Sequence, residues 1–168
     1  LAAEDWTLLD GPSVSTVRRI VGVAKAKAAA ELIAYEAGED QFSKALVFCD
    51  HRAVIDALTE KLGATLPVAV IDGRTTDKAR ESILASFEPD RSGPHRVCII
   101  QRQALKEGRT LTQADRVFLV EPAWTPDDNK QMIARAWRRG QPRPVRASFL
   151  HLPGSLDEAV TRVLARKA

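Results

Sequence analysis

Gln131, Arg135 and Arg138 are the residues of this sequence best placed to do chemistry. Spacings of four and three line side chains up on one face of a helix. At about 100° per residue the three fall within about 60° of one another. Two guanidiniums and an amide in a row suit phosphate oxygens, because a planar guanidinium meets them with two hydrogen bonds at once. The same row is equally well a solvated basic helix face, and spacing alone leaves both readings open.

The helix that must hold this row carries its own punctuation. Thr125 can cap it, Pro126 suits the first helical position, and Asp127 and Asp128 favour the positive end of the helix dipole. Gly140 fits a C-terminal stop. Met132, Ile133, Ala136 and Trp137 fall opposite the polar row, so the spacing predicts that they pack inward.

Around that helix the chain is rhythmic. Ala45–Cys49 is a continuous apolar run that reads as a strand covered on both faces, Val68–Ile71, Val97–Ile100 and Val117–Val120 read as further short apolar strands, and Val145–Leu150 reads as a fifth strand. Between them lie helical patterns at Ala53–Leu62 and Thr76–Phe87, a loop from Glu88 to His95, and a loop or short helix at Gln101–Gly108. An Ala-rich helix, Ala24 to Ala37, precedes the first strand, and a last helix begins at Ser155 with Glu158 at capping-box spacing. Strand alternating with helix over short links predicts a single α/β domain, a parallel sheet with helices on both faces. Residues 1–21 read as a lead-in and 22–168 as the domain. In such a sheet ligands collect beyond the carboxyl ends of the strands. Those ends carry Asp50-His51-Arg52, Asp72-Gly73-Arg74-Thr75, Gln101-Arg102-Gln103 and Glu121-Pro122, a basic and hydroxyl-bearing edge that suits a phosphate backbone or is ordinary polar loop.

The chain has 168 residues and a net charge of +3, a basic bias compatible with nucleic acid but shared by many enzymes. Cys49 and Cys98 sit inside apolar runs and read as buried free thiols. The three histidines are scattered, so no metal-ligand cluster is expected. No apolar run approaches membrane-spanning length and no signal peptide is visible. A cytoplasmic (bacterial or phage) or nuclear protein, not a secreted one, is expected. The first residue is Leu1, as expected of a piece of something longer. There is no glycine-rich loop ending in Gly-Lys-Ser/Thr to cradle a nucleotide, no Gly-x-Ser-x-Gly elbow and no convincing Cys/His pair. A stand-alone enzyme is hard to build from these residues.

Several stretches together carry a resemblance. Gln131-Met132-Ile133-Ala134-Arg135-Ala136-Trp137-Arg138-Arg139-Gly140-Gln141 resembles motif VI of the Snf-type branch of superfamily 2 helicases. Glu121-Pro122-Ala123-Trp124-Thr125-Pro126 resembles that branch's Trp-Asn-Pro segment, and Gly108 to Asp115 is similar to the end of motif V. Ile71-Asp72-Gly73-Arg74-Thr75-Thr76, with Arg80 and Phe87, resembles the Asp-Gly-Ser-Thr block. Lys44–Phe48 with Asp50-His51 resembles motif IV, and Pro153 to Glu158 the closing segment. The order is right from about Gly22 onward. The Ala-Lys-Ala-Lys helix and the Asp-His after motif IV resemble the annealing-helicase subgroup.

The resemblance implies a three-layer RecA-like fold and the second lobe of an ATP-driven translocase on double-stranded or branched DNA. Its partner would be an N-terminal RecA-like lobe that holds most of the ATP and Mg2+. Arg135 and Arg138 would face the γ-phosphate, Arg138 as the finger, with Gln131 and Gly108 at the nucleotide. Asp50, His51, Gly73, Arg74, Thr75, Gln101 and Arg102 would approach DNA. The fragment alone would be inactive. The sequence departs from the family in motif V, where only Gly108 survives, at Arg74, which replaces a serine, and at Trp137, which replaces a common histidine and reads as a packing residue. Arginines at 74 and 102 would make the DNA grip more salt-dependent. The competing reading is a non-catalytic DNA-binding or interaction module that keeps the lobe fold.

Overall fold

The structure, a computed structural model, describes residues 12–88, 93–105 and 109–167. Its elements run α1 (Pro12–Gly38), β1 (Ala45–Cys49), α2 (Arg52–Gly63), β2 (Val68–Ile71), α3 (Asp77–Ala85), β3 (Val97–Gln101), β4 (Arg116–Leu119), α4 (Pro126–Ile133), β5 (Arg146–Phe149) and α5 (Leu156–Lys167). One 3-10 turn, Arg102–Ala104, follows β3. The five strands form one sheet in the order β2-β3-β1-β4-β5, with every pairing parallel. Ala45 sits opposite Val97 on one side and Arg116 on the other, which aligns the carboxyl ends of the three central strands.

Alternation along the strands divides the core into two layers, because successive side chains point to opposite faces. Ala45, Val47, Cys49, Val97, Ile99, Phe118 and Val120 pack with α1 and α2 through Ile33, Ile55, Leu58 and Leu62. Leu46, Phe48, Cys98, Ile100, Val117 and Leu119 pack with Leu84, Phe87 and Met132 on the other side. The predicted three-layer α/β architecture is the observed one. Both cysteines are free and buried, and burial raises both thiols well above their ordinary range.

Two polar tethers fix the outer elements. Lys25, 5% exposed, donates to the Leu150 carbonyl at 3.0 Å and pairs with Asp157, holding α5 to α1. Glu36 receives Arg116 at 2.7 and 2.9 Å and Arg146 at 2.8 Å, which locks α1 to β4 and β5. Helix α1 is twice as long at its amino end as the Ala-rich stretch predicts. It starts at Pro12, and Val14 and Val21 are buried by it. The first eleven residues, with Trp6, lie outside the described residues.

Candidate functional site

Helix α4 begins as its sequence demands. Thr125 accepts from the Asp128 N–H at 3.2 Å, and buried Asn129 ties the entry loop through Ala123 N–H at 2.8 Å and the Thr125 carbonyl at 2.9 Å. Its end is different. The predicted helix to Gly140 stops at Ile133. The Arg135 and Ala136 amides reach back only three residues, to Met132 and Ile133. Tertiary donors take the carbonyls that a longer helix would use. The Leu111 N–H donates to Arg135 O at 2.7 Å, and Gln141 Nε2 donates to Ala136 O at 3.1 Å and Ala114 O at 2.8 Å. Gly140, at φ 93°, therefore turns the chain after an irregular segment and does not close the helix.

The break moves one predicted residue. Met132 and Ala136 pack inward, but Trp137 is 71% exposed, so the packing expected of it is overturned. It does not scatter the polar row. Gln131, Arg135 and Arg138, with Ala134 and Arg109, line one open cavity of about 230 Å3. Arg135 is half-buried and donates to Leu105 O at 3.0 Å. Burial, then the neighbouring Arg138 charge, lower its pKa from the ordinary arginine value. Arg138 donates to Thr110 Oγ1 at 2.9 Å. Arg109 pairs with Glu88 at 3.0 Å and Glu81 at 3.2 Å. Two guanidiniums held close together repel each other, and an anion between them would relieve that repulsion. Gly108 lies outside the described residues.

The residues expected at DNA share the carboxyl edge of the sheet. Gln101 links two of the others: its Nε2 donates to Asp50 O at 3.0 Å, and its Oε1 accepts from Gly73 N–H at 3.2 Å. Gly73 and Arg74 are exposed; Asp50, His51, Thr75, Gln101 and Arg102 are partly buried. Both arginines already have internal partners. Arg102 grips Asp50 at 2.8 and 3.0 Å, and Arg74 pairs with Asp56 at 2.7 Å and Asp72 at 2.8 Å. Burial raises the Asp50 carboxyl despite the Arg102 and Arg18 charges beside it. Thr75 spends its hydroxyl inside its own turn, on Val70 O and Asp72 N–H.

At this edge Ser15, Arg18 and the partners of Glu121 escape sequence reasoning. Glu121, 3% exposed, accepts from the Asp50 and His51 amides at 2.8 and 2.9 Å and from His51 Nδ1 at 2.6 Å. His51 Nε2 then meets Ser15 Oγ at 3.2 Å. Arg18 crosses from α1 to Asp50 at 3.0 Å and Pro122 O at 2.8 Å, over the Trp124 ring. The crevice between the ends of β1 and β4, where ligands enter many open sheets, is filled here by the protein's own side chains. These partners lie about thirty to a hundred residues away in the chain, and no local signal marks them.

Residues 24–140 match the helicase conserved C-terminal domain. The chain belongs to that family. It is 33% identical, over 98% of its length, to the DNA annealing helicase and endonuclease ZRANB3 of Homo sapiens, and spans 16% of that protein. To the SWI/SNF-related matrix-associated actin-dependent regulator of chromatin subfamily A-like protein 1 of Drosophila melanogaster it is 30% identical, over 74% of the chain and 16% of the relative. Among solved structures, the C-terminal part of the Fun30 ATPase domain superposes with a TM-score of 0.70 at 22% identity, over 97% of this chain and 47% of that one, which shows the fold. The chain is thus a RecA-like helicase C-terminal lobe of the Snf-type branch of superfamily 2, spanning about a sixth of its relatives' length. No described helix is long and apolar enough to cross a membrane.

Proposed function

We propose that this lobe, residues 22–168 with 1–21 as a lead-in, completes the ATP site of a DNA translocase by presenting Arg135 and Arg138 to a triphosphate. The observation that carries the reading is the convergence of Gln131, Arg135 and Arg138 on one cavity although the helix beneath them ends early. Arg138, exposed and held through Thr110, is the finger; Arg135, fixed to Leu105 O, sets the wall beside it. ATP, when bound, supplies the phosphoryl group. The guanidiniums stabilise charge that develops on its oxygens, and Gln131 orients them. The Mg2+ that accompanies ATP is assigned, in this reading, mainly to the first lobe.

The carboxyl-edge residues Asp50, His51, Gly73, Arg74, Thr75, Gln101 and Arg102 face the DNA in this reading, with Gly73 and Arg74 the most accessible. One relative is named a DNA annealing helicase and another a regulator of chromatin, and DNA is the substrate assigned here, for a nuclear protein or a cytoplasmic one of bacterial or phage origin. In a polypeptide that includes the first lobe, Arg138→Ala is expected to lower DNA-stimulated ATP turnover by about a thousandfold or more while ATP still binds. Near-normal turnover removes the finger assignment. The 168-residue chain alone is expected to hydrolyse no ATP, and DNA-stimulated turnover by it overturns the division of labour.

A further inference from the structure

Trp137 is the most exposed large apolar side chain among the described residues, at 71%. It lies just beyond the early end of α4. Continued at about 100° per residue, the helix would have carried the indole to the face of Met132 and Ile133. The turn that replaces it is firm. Trp137 N–H donates to Ile133 O at 3.0 Å, Ala136 is fully buried, and Gln141 clamps Ala136 O. An indole on a fixed backbone, projecting into solvent, loses little freedom when a ligand covers it.

Its surroundings define the ligand. In the chain Trp137 falls between Ala134 and Arg138, both of which line the arginine cavity, although it does not line that cavity itself. Exposed Arg138 and Arg139 follow it directly. An acidic protein surface would satisfy the guanidiniums and leave the indole wet. A nucleotide satisfies both, because it joins an anion to a flat π-face.

We propose that Trp137 is a stacking platform for a nucleobase whose phosphate is gripped by the arginines beside it. The proposal rests on the phosphate-binding reading of Arg135 and Arg138. The base comes either from the nucleoside triphosphate or from an unpaired stretch of DNA, and both offer the same face.

Four probes separate the sources: ATP against inorganic tripolyphosphate, and a short oligothymidylate against an abasic deoxyribose-phosphate strand of the same length. Binding to the 168-residue chain is measured by calorimetry for the unaltered protein and for Trp137→Ala, with Trp137→Phe as the conservative variant. Trp137→Ala is expected to weaken one base-bearing probe by about 5- to 100-fold, the loss of one stacked base, and to leave its base-free counterpart unchanged. Trp137→Phe retains most of the affinity. The weakened pair names the source. Equal losses on both members of a pair, no loss on either, or no binding of either base-bearing probe by the unaltered chain overturns the proposal. The second of these leaves the indole for a protein surface. Arg138→Ala, in this chain without its first lobe, is expected to weaken the base-free probes too. If it does not while Trp137→Ala still discriminates, the arginine assignment fails and the stacking platform stands.

Discussion

Glu121 sits where two roles compete, a ligand for something bound at the strand ends or a brace for them. Its three short hydrogen bonds decide for the brace. Both carboxylate oxygens are taken, and two of the donors are the Asp50 and His51 amides at the entrance to α2, which the negative charge also favours electrostatically. His51 has no side-chain cap of its own to offer α2, so Glu121 supplies from another strand what the N-cap residue lacks. Glu121→Gln keeps the shape but replaces one acceptor by an NH2 that faces donors. It is expected to cost about 2 kcal/mol, the worth of hydrogen bonds to a charged group, seen as a lower denaturant midpoint at unchanged slope. An unchanged midpoint would mean that the three bonds are incidental. The residue is plain in the sequence as an acid after a strand, yet its partners are not, because the sheet order brings residues 50 and 121 together and local pattern does not specify that order.

At the scale of elements, α1 and α4 show what periodicity conveys and where it stops. In α1 the Ala-rich stretch was legible as helix, but its amino-terminal turns were not. Residues 12–21 place Val14, Val17, Ile20 and Val21 at helical spacing within a Ser/Thr/Val-rich run; in the fold Val14 and Val21 pack, Val17 and Ile20 stay exposed, and Arg18 reaches the sheet edge. Gly22 lies within these turns. A Cβ there would meet Val54 Cγ2 at 2.6 Å and Glu121 Oε1 at 2.9 Å. Two effects oppose each other in Gly22→Ala. Helix propensity favours alanine by about 1 kcal/mol, whereas crowding a packed core costs about 1–3 kcal/mol. Glu121 is pinned by three hydrogen bonds and cannot swing aside, so the clash is expected to win, leaving a net loss near 1 kcal/mol in urea unfolding. A variant as stable as the parent would show that α1 shifts to make room. In α4 the caps were legible at Thr125 and Pro126 because they act within three residues. The stop at Ile133 was not, because Leu111 and Gln141, which capture the carbonyls, belong to other segments.

For the whole molecule, the strand runs were readable because a doubly covered parallel sheet writes uninterrupted apolar segments, while the charges that close the fold were not. Glu36 and Arg116 are both largely buried, 80 residues apart, and they bind the longest helix to two strands with Arg146 as a third member. The Arg116 hydrogen bonds hold the Glu36 carboxyl below its ordinary value of 4.5, against the opposing pull of burial. The sign of the linkage follows. A depressed carboxyl contributes stability that is complete above pH 4.5 and is lost as pH falls through the lower folded-state value. Asp72, which burial pushes up and the Arg74 hydrogen bonds pull down further, acts in the same direction. Asp50, raised chiefly by burial, acts the other way, so acid relieves part of the strain it creates elsewhere. Glu36→Gln isolates the first of these. It leaves the Arg116 guanidinium, 2% exposed, without its charge partner, and breaking such a pair costs about 3–5 kcal/mol. For a domain of this size that corresponds to a drop in Tm of roughly 6–20 °C at pH 7. Because the parent loses the same interaction on protonation, the gap between the two melting curves is expected to narrow as pH is lowered below 4.5 through the depressed Glu36 value. Calorimetric scans of both proteins across that range test it. A gap that stays constant would mean that Glu36 serves by shape and hydrogen bonding alone, and that its charge does not bind the helix to the sheet.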